Sequence, residues 1–293
     1  MSETLHHYTT KEAFLGISQN KQLWASHIAF QNDRSEHKYA FELFQEVFRS
    51  EKKRNNNLEK FEWLENEEYI AKKSDAEVYT VSFSAEEDKL SQWRGYANSM
   101  PGFCISFNMR IIKDKLEKDK NNDRYKWKLC ECIYDRHRQE ERMGEIIRKH
   151  LEGNIDAEMA QINTVLEIAS IAPILKNESF KEEKEWRLVI TDVKDRSIVR
   201  ERVGKSYFIP YIEINLGNNC CDKSACRINK SCADTMCRNH NWIDKVMVGP
   251  CVDENLAKYS TILACENNGL KLSTAKEKAR KLLSSSNIPF RNY

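Results

Sequence analysis

Glu183-Lys184-Glu185-Trp186-Arg187-Leu188-Val189-Ile190-Thr191 is a charged run that passes without a break into an apolar one. The stretch from Trp186 to Thr191, rich in β-branched and aromatic residues, reads as a strand. Extended backward, a strand's two-residue period sets Glu183, Glu185 and Arg187 on one face, opposite Trp186, Leu188 and Ile190. One face then carries charge while the other packs. His7-Tyr8-Thr9, near the start of the chain, also sets ionisable and hydroxyl groups beside a ring at the edge of an apolar segment. A site assembled from the two would be wet at one end and walled by rings at the other, which suits a ligand with sugars, phosphates and a planar heterocycle.

Further extended segments are expected at Val78 to Ser84, Phe103 to Phe107, Tyr125 to Tyr134, Tyr207 to Leu216 and Lys245 to Val248, with Leu23-Trp24-Ala25-Ser26 as a short return. Thr9 and Glu12 have capping-box spacing ahead of Phe14 and Ile17, which predicts a helix directly after His7-Tyr8. Residues 36–73 are dense in charge, with Phe41, Phe44, Phe48, Phe61 and Leu64 at helical spacing, and predict peripheral helices split at Asn55-Asn56-Asn57. Another helix is expected from about Gln139 to Ala169, and Asp253 is placed to cap one carrying Leu256, Tyr259, Ile262 and Leu263. Strands interrupted by helices, without regular alternation or repeat, argue for an α+β core with a mixed or antiparallel sheet. The chain reads as one elaborated domain over 1–293, with helical insertions at 36–73 and 139–169 and a Cys-rich insertion at 218–241.

Lys and Arg total 47 against 45 acids, so the net charge of +2 carries no global argument for a polyanionic partner. No apolar stretch approaches the roughly 18 residues of a spanning helix, and the first residues lack a signal-peptide pattern, so a cytoplasmic location without membrane contact is expected. In a reducing compartment, ten cysteines point to free thiols or metal rather than disulfides. Cys221, Cys226, Cys232 and Cys237, separated by four, five and four residues, suit a structural zinc site, with Cys220 or His240 as alternative ligands. Free thiols in a labile loop are the other reading of the same residues.

The run His7-Tyr8-Thr9 to Ile17, then Leu23-Trp24, Asn32-Asp33 and Glu36, then Ser82-Phe83-Ser84 with Asp88, Leu90, Ser91, Trp93 and Tyr96, and finally Glu183 to Arg187, resembles the bacterial domain-of-unknown-function family numbered 2971. The same residues are similar, more loosely, to ADP-ribosyltransferases, whose sites are built from an early strand-end His or Arg, a Ser-x-Ser type strand and a late Glu. That resemblance implies an ADP-ribosyltransferase-like sheet and NAD as substrate. Glu185 would bind a ribose hydroxyl and steady positive charge, and Glu183 would orient or deprotonate the acceptor. His7 and Thr9 would hold ribose or nicotinamide, Ser82 and Ser84 would line the site, and Tyr8, Trp93 or Tyr96 would stack on a ring. Arg187 would bind pyrophosphate or pair with a neighbouring glutamate. The tyrosine pair of His-type toxins has only Tyr96, near Trp93, as an equivalent here.

Three readings stay open on the residues. The first is an NAD-consuming ADP-ribosyltransferase, a toxin or antiphage defence effector modifying a macromolecule, with RNA or DNA favoured and an antitoxin or chaperone as partner. The second is a metal-dependent nuclease, in which Glu182 and Lys184 on a strand serve a divalent ion and the attacked phosphate. The third is a zinc-stabilised binding module without catalysis.

Overall fold

The computed structural model describes residues 4–30, 35–66, 77–97, 101–118, 122–152, 156–217, 242–268, 270 and 282–289. In chain order the elements are β1 (Thr4–Thr9), α1 (Lys11–Asn20), β2 (Gln22–His27), α2 (Ser35–Lys52), β3 (Tyr79–Ser84), α3 (Leu90–Tyr96), β4 (Phe103–Asn108), α4 (Met109–Lys118) and β5 (Lys126–Glu131). They continue with α5 (Arg136–Leu151), α6 (Ala157–Ile171), β6 (Glu185–Thr191), β7 (Val199–Val203), β8 (Phe208–Asn215), β9 (Ile243–Val248), α7 (Glu254–Asn267) and β10 (Leu283–Ser285). The fold is α+β, with an open mixed sheet and several helices. By their contacts the residues group into two compact units, each built from separate stretches of sequence.

The first unit comprises Met1–Trp24, Phe83–Asn122 and Glu213–Tyr293. Its centre is β4, antiparallel to β1 from Thr4↔Asn108 to Thr9↔Phe103 and to β9 on its other side. β10 lies parallel to β9, so the sheet is mixed. The ring of Phe14 on α1 stacks on Phe103 at 4.2 Å between centroids. Thr10, not Thr9, caps α1, accepting from the Ala13 amide at 3.3 Å, because β1 runs through Thr9 and leaves the next residue at the strand-to-helix corner.

The second unit comprises Ala25–Ser82 and Asp123–Ile212. β5 pairs antiparallel with β6 from Lys126↔Thr191 to Glu131↔Trp186, and β6 also pairs with β3. The two charged segments expected as peripheral insertions have an apolar core of their own. Phe41, Phe44 and Phe48 of α2 and Leu58, Phe61 and Leu64 after it pack with Met143 and Ile147 of α5 and Val165 and Ile168 of α6. Asn55 caps the turn that follows α2, as its Asn-rich sequence predicts. The single helix expected over 139–169 is two helices, because Asp135 caps α5 and Asp156 caps α6, the latter accepting from the Glu158 and Met159 amides.

Asp253 caps α7 as expected, but Leu256, Tyr259 and Leu263 are exposed and Thr261 and Cys265 are buried. Both sets recur at helical spacing, and periodicity alone does not choose between them. No described helix is long and apolar enough to cross a membrane.

The helical core is expected to dominate the stability of the second unit. Replacing the fully buried Phe44 by Ala should cost about 3–5 kcal/mol, against about 1 kcal/mol for loss of the α6 cap in Asp156→Ala. Urea unfolding followed by circular dichroism measures both, and equal costs would contradict this account of the core.

Candidate active site

Strand β6 begins at Glu185 because the residue before it turns the chain. Residues Glu178–Glu183 form a 3-10 turn capped by Asn177, and Lys184 closes it in the left-handed region at φ 42°. The backward extension of the strand through Glu183 is therefore not made. Glu183, Glu185 and Arg187 are brought together by a residue that sequence reasoning passed over, Lys176.

Lys176 is 4% exposed, and its Nζ donates to Glu183 Oε2 at 2.5 Å and to Glu185 Oε2 at 2.6 Å. Arg187, also buried, donates from Nε to Glu185 Oε1 at 2.6 Å, from Nη2 to Glu185 Oε2 at 3.0 Å and from Nη1 to the Pro173 carbonyl at 2.6 Å. The Glu185 amide donates to the Tyr134 hydroxyl at 2.9 Å, and its carbonyl accepts from the Cys132 amide. Of the two offered roles for Arg187, the structure thus shows the pairing with a neighbouring glutamate.

Burial alone would raise the Glu185 pKa, but the Arg187 guanidinium and then Lys176 outweigh it and hold the carboxyl below its ordinary range. For Lys176 burial works against the charge, while Glu185 and Glu183 restore it and raise its pKa. The formal charges of Lys176, Arg187, Glu183 and Glu185 sum to zero. Phe180 lays its ring 5.1 Å from Lys176 Nζ and is itself exposed.

In the first unit the residues of β1 go to different surroundings. His7 is half-buried and meets the rings of Phe83 and Phe107 edge-on, at 5.9 and 6.3 Å between centroids. Thr9 is buried. Tyr8 and Trp93, expected to stack on a heterocycle, are buried edge to face against each other at 4.9 Å. Their polar ends are spent on the loop after β3. Tyr8 donates to the Glu86 carbonyl and accepts from the Lys89 amide, and Trp93 donates to Asp88. Ser84 Oγ accepts from the Glu86 amide in the same loop, and Ser84 pairs with His6 across β1 and β3. Ser82, in the second unit, is half-buried. Of the proposed stacking rings Tyr96 is the exposed one.

Sequence reasoning also passed over a polar row beside Tyr8. His6 Nδ1 lies 3.0 Å from Ser106 Oγ, Ser106 reaches Glu87 at 3.5 Å, and Glu87 pairs with Lys245 at 2.8 Å. Burial lowers the His6 pKa despite Glu87, so the ring is neutral at neutral pH. The signal in the sequence was the doubled histidine, of which the second member drew the attention.

The nuclease reading needs Glu182 and Lys184 on a strand. Both are exposed, one within the 3-10 turn and the other at its left-handed end. A nuclease metal would also need a further carboxylate upstream, and the nearest upstream aspartate, Asp156, caps α6. Among the described residues no group of three or more His, Cys, Asp or Glu is disposed to hold a metal ion. The proposed zinc ligands Cys221, Cys226, Cys232 and Cys237 lie outside the described residues, while Cys104, Cys130, Cys132, Cys251 and Cys265 form no disulfide.

A family model described as "Protein of unknown function (DUF2971)" matches residues 92–188. The matched span takes in Trp93, Tyr96, Lys176, Glu183, Glu185 and Arg187, and leaves out His7 to Thr9. No curated protein and no solved structure matches the chain.

The charge cluster carries a pH signature. Because folding holds the Glu185 pKa below its ordinary value of 4.5, the stabilisation is complete above that pH and is lost as pH falls through the folded value. Glu185→Gln should flatten this acid limb of stability. Arg187→Met, which takes two hydrogen bonds and one cation from the buried Glu185 carboxylate, should cost about 3–5 kcal/mol near neutral pH. Thermal denaturation across pH measures both, and an unchanged acid limb in Glu185→Gln would remove Glu185 as its source.

Proposed function

We propose that the chain is an NAD-dependent ADP-ribosyltransferase, acting as a bacterial toxin or antiphage defence effector on a macromolecule, with RNA or DNA as the favoured acceptor. The observation that carries this reading is the convergence of Glu183 and Glu185 on the single cation Lys176. Two carboxylates with different access to solvent, the side chains 15% and 6% exposed, suit two different tasks.

In this reading the bond between nicotinamide and ribose breaks with its electrons leaving on nicotinamide, and positive charge builds at the anomeric carbon. A carboxylate held ionised stabilises that charge where it develops. Glu185 serves here, kept ionised and aimed by Arg187 and Lys176. The acceptor's nucleophilic atom then bonds to the anomeric carbon, and its proton passes to Glu183, the more accessible acid. A toxic transferase calls for restraint, so an antitoxin or chaperone partner belongs to the same proposal. Structural zinc at the Cys-rich segment 218–241 is a separate proposal and takes no part in the chemistry.

The test is release of nicotinamide from NAD by purified protein, with and without RNA or DNA. Release or label transfer should fall by at least about 100-fold in Glu185→Gln, on the scale of losing one electrostatic stabiliser, and should persist in chelator. No turnover with any acceptor would overturn the reading, and metal-dependent cutting of nucleic acid would replace it with the nuclease.

A further inference from the structure

Lys176 and its partners hold one cation more than they need once Glu183 is set aside. Glu185 is sealed at the strand start by Arg187, and both are 5% exposed or less. Glu183 differs in how it is carried. It ends the 3-10 turn Glu178–Glu183, in which no residue is buried, so displacing the turn uncovers little apolar surface. At its end stands Lys184 with a left-handed backbone, a conformation disfavoured for a residue with a side chain and released when the turn swings away. Phe180 of the same turn, whose ring lies 5.1 Å from Lys176 Nζ, is likewise exposed.

Removing Glu183 from Lys176 leaves Lys176, Arg187 and Glu185 with a net positive charge in a buried place. Such a charge is costly unless an anion takes the vacated position. We propose that Lys176 is an anion-binding site that Glu183 plugs in the absence of ligand, and that the anion it takes is a phosphate group. The turn Glu178–Glu183 is the plug's carrier and Lys184 its hinge. The exchange needs no turnover of NAD, so it stands or falls apart from the transferase reading.

The experiment is calorimetric titration of the purified protein with inorganic pyrophosphate at low ionic strength. Glu183→Ala should bind pyrophosphate roughly tenfold or more tightly than the parent chain, a factor worth about 1.4 kcal/mol. The double variant Lys176→Met/Glu183→Ala should lose that gain. Glu183→Gln, which keeps the size of the side chain, guards against a misfolded Ala variant and should show the same direction of change. Equal affinity in the parent and both Glu183 variants, or a gain that survives Lys176→Met, would overturn the proposal. Parallel titrations with NAD and with a short single-stranded oligoribonucleotide distinguish the sources of the phosphate. A Lys176-dependent gain with either one supports the site.

Discussion

Two buried cations cannot stand alone in an apolar interior, and the start of β6 is organised by that constraint. Removing an ammonium or guanidinium from water costs several kcal/mol, recovered when carboxylates and carbonyls complete its hydrogen bonds. Lys176 and Arg187 therefore come with Glu183, Glu185 and the Pro173 carbonyl as a set. The set reaches further through Gln139, which is fully buried. Its amide donates to the carbonyls of Ile133 and Lys176 and accepts from the Tyr39 hydroxyl at 2.6 Å. One polar line thus runs through the second unit from α2, across α5 and the 173–176 segment, to β6. Each link is satisfied, which is the condition under which a buried network fixes an arrangement rather than weakening it.

The first unit solves a similar problem with fewer charges. The loop after β3 must turn sharply, and Asp88 does so in the left-handed region at φ 59°. Its carboxylate then collects the Trp93 indole, the Asn287 amide and the Ser286 hydroxyl. Tyr8 pins the same loop from β1. Rings that look like a stacking platform in the sequence are consumed in holding this loop, since a buried Tyr or Trp needs a partner for its polar end. Nearer the surface of this unit stand the half-buried His7 and the exposed Tyr96.

What the sequence reveals follows from how local each signal is. The strands at Tyr79–Ser84, Phe103–Asn108 and Glu185–Thr191 are short apolar runs and read directly. The short β7, Val-Arg-Glu-Arg-Val, alternates apolar and charged residues but stands among charges, and went unread. The split between α5 and α6 was signalled by Gly153-Asn154 and Asp156, yet apolar periodicity on both sides concealed it. Within the candidate site Glu183, Glu185 and Arg187 were legible as a charged run before a strand. Lys176 was not, because nothing in its own neighbours says that a lysine between a leucine and an asparagine is buried. Its role is set by the turn between it and β6, and by Lys184 adopting a conformation that strand alternation does not anticipate.

That turn changes the meaning of the Glu-x-Glu pair. On a continuous strand the two acids would stand side by side on one face, and mutual repulsion would push one of them toward its neutral form. Here the turn removes Glu183 from the strand and a shared lysine draws it back, so the two carboxylates meet across a cation instead of facing each other. In formal charge the two acids are balanced by Lys176 and Arg187, the condition under which such a group is tolerated in a buried place. Were a phosphate to take the place of Glu183, as proposed, the ligand's charge would keep the same balance at Lys176.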